Sequence, residues 1–197
     1  MTVLRFARIA VALGFASLAA ACVATSVEMT PHYSANHQTA ATTPEGGPAG
    51  SCRVRLIGVH DLRTDPHSLG GLGGQKVHIE DSTEWIRSGI NAIADGAAIR
   101  LSAESDALSL DVDLLKAYLM TVTSETRSAN VVLRVRYSVS GQALGEQIYR
   151  GTDNGLVWTG GEDETQTSLN VVLGKAVQAI RSDVLARCAA GIKFPAP

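Results

Sequence analysis

The sequence predicts an α+β fold: a two-layer domain with a mostly antiparallel sheet and two amphipathic helices packed on one face. Three observations carry this. Ile86, Ile90 and Ile93 recur at helical spacing, and from Ile99 to Trp158 the apolar period changes to two. Leu169, Val172, Leu173, Ala176, Val177, Ile180 and Val184 then form a wide apolar stripe of the kind that packs on a sheet.

The chain divides into residues 1–21, 22–51, 52–192 and a short tail, 193–197. Arg5 and Arg8 make a basic head, Ile9 to Ala21 is uncharged and apolar, and small residues precede Cys22. These are the parts of a secretory signal. A retained transmembrane span competes with cleavage, since a span needs about 20 apolar residues. The Ala-rich middle and the interruption by Thr25 and Ser26 suit cleavage better. Leu18-Ala19-Ala20-Ala21-Cys22 resembles the lipobox of bacterial lipoproteins, with Ala19 three before the cysteine and the preferred Leu one place early. An ordinary A-x-A exit is the alternative. If the lipobox holds, Cys22 is acylated, and several chains suffice for stable anchoring. Under that family's sorting rule, Val23 implies the outer membrane.

Without residues 1–21 the chain carries 15 Lys+Arg against 19 Asp+Glu, a balance of −4. No clustered basic face suggests nucleic acid. With Cys22 lipidated, Cys52 and Cys188 remain, in a compartment where disulfides persist. A bridge would close a loop of about 137 residues, worth roughly 4–5 kcal/mol through chain entropy. Two free thiols are the other possibility. No C-x-x-C pair points to zinc or redox chemistry.

Residues 23–51 are rich in Thr, Ser, Ala, Pro and Gly, and read as a disordered tether with His32 and His37 as solvated bystanders. Such a tether averages roughly 30 Å in length and stretches to about 100 Å. Arg53 to Asp61 reads as a strand, half-exposed at first and then buried. Asp61, at its end, is a loop carboxylate paired with Arg63 or, less simply, a ligand or base.

Ser68 to Gly74 holds four glycines, Gly70, Gly71, Gly73 and Gly74. Their spacing fits neither phosphate-loop pattern, so a loop or bulged hairpin is expected. Together with Asp61 and Arg63, these glycines are the candidate contact surface.

Asp81 caps the first helix, Glu84 is placed for a capping box, and Gly96 is the stop. Trp85 belongs to the core or its edge. Ile99, Leu101 and Ala103 make a short strand. Leu110, Val112 and Leu114 alternate with Asp111 and Asp113, and a phase slip at Leu114-Leu115 marks a bulge; a helix over 109–119 also fits the spacing. Asp111 and Asp113 fall on the outer face, where charge belongs without chemistry. Val131, Leu133, Val135, Tyr137 and Val139 give the clearest strand. Ser140-Gly141-Gln142 turns the chain, and Gln147 to Thr152 returns it as an antiparallel meander. The closing helix begins near Asp163 or Thr165 and stops at Gly191. Run antiparallel to the first strand, it would bring Cys188 toward Cys52.

Val59-His60-Asp61-Leu62-Arg63, the helix ending at Gly96, Tyr149-Arg150-Gly151 and the closing helix to Leu185 together resemble the YajG-like lipoproteins. More loosely they resemble the auxiliary lipoproteins of lipid-transporting ABC systems. The resemblance implies a small sheet with two helices on one face and no enzymatic residues. His60, Asp61 and His78 are too weak a pattern for an enzyme. His60, His67 and His78 are too unevenly spaced for a metal site, and neither metal nor cofactor is expected.

The expectation is a non-enzymatic lipoprotein on the periplasmic face of the outer membrane, held through its lipid and binding an envelope protein of a transport or assembly system. The alternatives are a tethered regulator of a cell-wall synthase and a secreted soluble periplasmic binding protein.

Overall fold

A computed structural model describes residues 26–34, 52–72, 74–95, 98–156 and 161–190. The fold is mixed α+β, with a large, mostly antiparallel sheet and two helices. Its strands are β1 (Ser26–Met29), β2 (Cys52–Asp61), β3 (Ser68–Leu72), β4 (Gln75–Ile79), β5 (Ile99–Leu101), β6 (Leu108–Thr123), β7 (Thr126–Val139) and β8 (Gln142–Leu156). The helices are α1 (Ser82–Asn91), followed by a 3-10 turn over Ala92–Ala94, and α2 (Glu162–Ala189).

The centre is the meander β6–β7–β8, paired antiparallel along nearly its whole length. One edge of β6 is covered by β7, and the other is shared end to end. β2 runs parallel to its first half, from Val54 opposite Leu108 to Asp61 opposite Leu114. β3 joins its second half at Gly70, opposite Leu119. The sheet therefore forks, continuing through β2 to β5 on one arm and through β3 and β4 to β1 on the other. The bulge read from the phase slip is present, with the register stepping from Leu114 to Lys116. It keeps Leu110, Val112, Leu114, Ala117 and Leu119 all buried. Ile99–Leu101 lies outside the meander: it pairs parallel with β2.

Asp81 caps α1, accepting from the Thr83 amide at 2.7 Å. Glu84 makes an ion pair with Arg87 at 3.4 Å. The seven predicted apolar residues of α2 are all buried, and the helix lies against β7 and β8 while α1 contacts β2 and α2. Gly151 is what lets α2 approach: a methyl there would stand 1.7 Å from the Val172 carbonyl oxygen. At the far end of α2 a disulfide joins Cys188 to Cys52, their Cα atoms 5.6 Å apart. Thus α2 does return beside the start of β2.

The reading of residues 22–51 as an unstructured tether needs correction over 26–34. Ser26–Met29 pairs parallel with Lys76–Ile79, and Met29 is 3% exposed in the core. The His32 backbone is clasped by Gln166, which accepts from His32 N at 3.2 Å and donates to His32 O at 2.7 Å. Gln166 also donates to Asn170 Oδ1, which accepts from Trp85 Nε1. A buried polar chain therefore ties the N-terminal segment to both helices, with each partner satisfied as burial demands. Cys22, His37, Gly73, Gly96 and Gly191 lie outside the described residues. Among the described residues, no helix is long and apolar enough to cross a membrane.

Candidate functional site

Asp61 and Arg63 do meet, but they face inward. Arg63 Nε and Nη2 fork onto the Asp61 carboxylate at 3.0 and 2.7 Å, and Nη1 donates to the Ser68 carbonyl at 2.7 Å. Ser82 Oγ, at the start of α1, donates to Asp61 at 2.5 Å. Burial by itself would raise the Asp61 carboxyl, yet the hydrogen bonds from Arg63 and Ser82 hold it below its ordinary value. Only 6% of the Arg63 side chain and 9% of the Asp61 side chain are exposed. The pair is a clamp that fixes the loop after β2 to α1, which corrects its assignment to a contact surface.

The glycines are also accounted for locally. The glycine segment is a bulged hairpin, β3 and β4. A Cβ at Gly70, where φ is +87°, would lie 2.4 Å from the Leu119 carbonyl, and one at Gly71 would lie 2.7 Å from the Gln75 carbonyl. Both glycines permit close backbone approach within the sheet. Gly74 supplies the positive φ of the turn.

The side chains that alternate with the core residues of β6, β7 and β8 build the more distinctive surface. Cross-strand register sets them in rows: Asp111–Arg136–Glu146, then Asp113–Arg134–Ile148, then Lys116–Val132–Arg150. The first two rows are wired together. Arg136 binds Asp111 at 2.7 Å and Asp113 at 2.6 Å, Arg134 binds Asp113 at 2.5 Å, and His60 Nε2 sits 3.0 Å from Asp111. Opposite charges facing each other across antiparallel strands are the sheet's own stabilising pairs.

Asp113 is the pivot. Its side chain is 1% exposed beneath the two guanidinium groups. Burial pushes its carboxyl up, and the hydrogen bonds from Arg134 and Arg136 more than reverse this. Arg136 is correspondingly raised, chiefly by its bond to Asp111. Arg55, on β2 beside the ladder, reaches Ser109 at 3.3 Å. On the outer sides of β6, β7 and β8 four cations (Lys116, Arg134, Arg136, Arg150) stand against three anions (Asp111, Asp113, Glu146). The face is thus net basic on an acidic chain.

Asp113→Asn should cost about 2–3 kcal/mol at neutral pH, less than the 3–5 of a fully buried pair because both arginines keep water contact. The depressed carboxyl contributes stability that is complete above its unfolded value, near 3.9, and is lost as pH falls through the lower folded value. The variant's acid limb should therefore be shallower than that of the parent. Urea unfolding between neutral pH and acid checks both effects, and parallel curves would refute the assignment.

A second network lies on the helix side. Tyr137 and Tyr149 hydroxyls are 2.6 Å apart, Tyr149 donates to Asp183 at 2.5 Å, and Arg187 binds Asp183 at 2.9 Å while stacking over the Tyr137 ring. Burial raises both phenols. The chain is closed on itself and pins α2 to β7 and β8. His60 is engaged by Asp111 on the outer face, while His67 Nδ1 lies against the Ile79 carbonyl and His78 pairs with Ser68 across the hairpin. Among the described residues no three His, Cys, Asp or Glu side chains converge as a metal site would require. Shallow open hollows occur beside Arg63, Ser68, Lys116 and Tyr118, and beside Arg55, Asn91 and Leu101.

No family model matches the chain. The search of curated proteins finds no match either. Among solved structures, a Xanthomonas campestris protein of the DUF330 family is 11% identical, with a TM-score of 0.56 over 84% of this chain and 95% of that one. At this identity the likeness is one of fold. A minor lipoprotein from Acinetobacter baumannii (11% identity, TM-score 0.49, 71% of this chain and 95% of that one) is also similar. So is a lipoprotein from Neisseria meningitidis (9% identity, TM-score 0.35, 68% and 99%). The resemblance to YajG-like lipoproteins in particular rests on the short motifs named above.

Proposed function

We propose that the chain is a lipid-anchored envelope lipoprotein of the outer membrane, facing the periplasm, whose domain is a non-enzymatic binding component of a transport or assembly system. The observation that carries the binding role is the open sheet face: a wide surface whose charges are held in fixed positions by cross-strand pairs. Fixed, net-basic charge suits recognition of an acidic patch on another envelope protein, because the side chains are ordered before contact and little entropy remains to be lost. Lys116 and Arg150, flanking Val132 outside the wired rows, are the contacts to test.

Support for the anchor comes from the run of small residues ending at Cys22. Cys22→Ser should move the protein from the membrane pellet to the soluble periplasmic fraction, and mass spectrometry of the mature N-terminus should find a triacylated cysteine. An N-terminus starting elsewhere ends the anchor reading. In-cell crosslinking should recover a protein partner whose yield falls severalfold in Lys116→Glu/Arg150→Glu. An unchanged yield moves the contact off this face. The wall-synthase alternative depended on reach. While Ser26–Met29 is bound into the sheet, only residues 23–25 separate Cys22 from the domain, which disfavours a role that needs that reach.

A further inference from the structure

Resting on the lipid-anchor reading, we infer that one end of the sheet is a bilayer-contact surface, formed by Met120, Val122, the β6–β7 turn and Leu156. Register places these groups at the end where the anchor enters. β1 starts at Ser26, level with Lys76 on β4; Lys76 pairs with Gly71, and the adjacent Gly70 pairs with Leu119 on β6. β6 continues beyond that level to Thr123 and turns at Ser124-Glu125 into β7, whose first residue, Thr126, lies opposite Leu156. The start of β1, the hairpin tip and the end of β8 therefore share one end of the sheet.

Distances make contact unavoidable if Cys22 carries lipid. From Cys22 to Ser26 is four Cα steps, roughly 13–14 Å when fully stretched. From the level of Met120 the β6 strand runs three residues further in the same direction, about 10 Å at strand rise. Even a taut leash leaves the tip within a few ångströms of the bilayer surface.

The chemistry of the tip fits that place. Met120, Val122 and Leu156 are 47%, 60% and 50% exposed; register puts Met120 and Leu156 on the sheet's outer side, and Val122 stands in the bulge between Thr121 and Thr123. The turn between them is Thr, Ser, Glu and Thr. Arg127 is occupied by Glu164 at 2.5 Å and by Asp153, and Lys76, level with Ser26, is an exposed cation at this end. Glu125, Glu162 and Asp163 are exposed at or near this end. With three exposed carboxylates against Lys76, the contact is apolar and at headgroup depth, with no net attraction to anionic lipid. This orientation stands the charge ladder upright, facing the periplasmic space sideways, where a partner can reach it.

The test uses the acylated, disulfide-bonded protein, in which Cys22, Cys52 and Cys188 present no free thiol. Single cysteines at Val122→Cys, Leu156→Cys, Leu101→Cys and Leu144→Cys carry a nitrobenzoxadiazole label, and each labelled protein must melt like the parent. In phosphatidylethanolamine–phosphatidylglycerol vesicles, phospholipids spin-labelled near the headgroup should quench positions 122 and 156 about threefold more than 101 and 144, as expected for groups held at the headgroup–acyl boundary. The ratio should not change with the phosphatidylglycerol fraction. Protein that floats with vesicles but shows equal or no quenching at 122 and 156 overturns this inference and spares the anchor. Protein that fails to float, and lacks acyl chains by mass spectrometry, sinks both.

Discussion

Gly151→Ala is expected to unseat α2 and lower the stability of the domain by about 3 kcal/mol or more, the upper part of the overpacking range. The reason is that the new methyl has no flexible neighbour to push aside. It would stand 1.7 Å from the Val172 carbonyl oxygen, 2.6 Å from that residue's carbonyl carbon and 3.1 Å from its Cα. All three are helix backbone, so relief requires α2 to move as a body. Such a shift would disturb the contacts of Leu169, Val172, Leu173 and Ala176, each wholly buried, and would stretch the link from Tyr149 to Asp183. For a protein of this size the loss corresponds to a melting temperature lower by roughly 6–12 °C. Thr152→Ala, one residue on and exposed, should shift stability by less than about 0.5 kcal/mol. If Gly151→Ala melts with the parent, the close approach of strand and helix is wrong.

Removing the Cys52–Cys188 bridge should have an effect of similar size by a different route. Its loop spans a sequence separation of 136, and the constraint acts chiefly on the unfolded chain, at about 3–5 kcal/mol. Cys52→Ala/Cys188→Ala should unfold at a markedly lower denaturant concentration than the oxidised parent. The parent in reducing agent should approach the variant, whose own midpoint should not respond to reductant. Equal midpoints for the variant and the oxidised parent would show that no bridge forms.

What was legible in the chain, and what was not, divides by range. The α2 stripe and the β7 alternation were plain, because 28 and 14 residues give each period room to repeat. Even the bulge after Leu114 showed, as a slip in phase. β1 did not, because four residues cannot display a period and their composition matches the polar stretch around them. Its place is decided by a backbone ladder to β4 and by one buried side chain, Met29. Pairing of β5 with β2 was hidden for the same reason, having only three residues.

The candidate site shows the same limit. Alternation put Asp111 and Asp113 on the outer face, but the covering of Asp113 depends on Arg134 and Arg136 arriving from the next strand in register. Asp61 and Arg63 were readable as a pair. That the pair turns inward was not, because it depends on Ser82 at the start of α1.

The disulfide has a topological consequence as well. Cys52 and Cys188 bound a covalent ring that includes both helices and every strand but the first, so residues 26–51 form an arm outside it. Opening this arm does not require opening the ring; its described part, 26–34, is held by the β1 ladder, Met29, Tyr33 and the Gln166 clasp, and should exchange its amide hydrogens by sub-global opening ahead of the rest. On the lipid-anchor proposal, its release would turn a spacer of three residues into one of 29, changing a module pressed to its support into one free to roam roughly 30 Å from it.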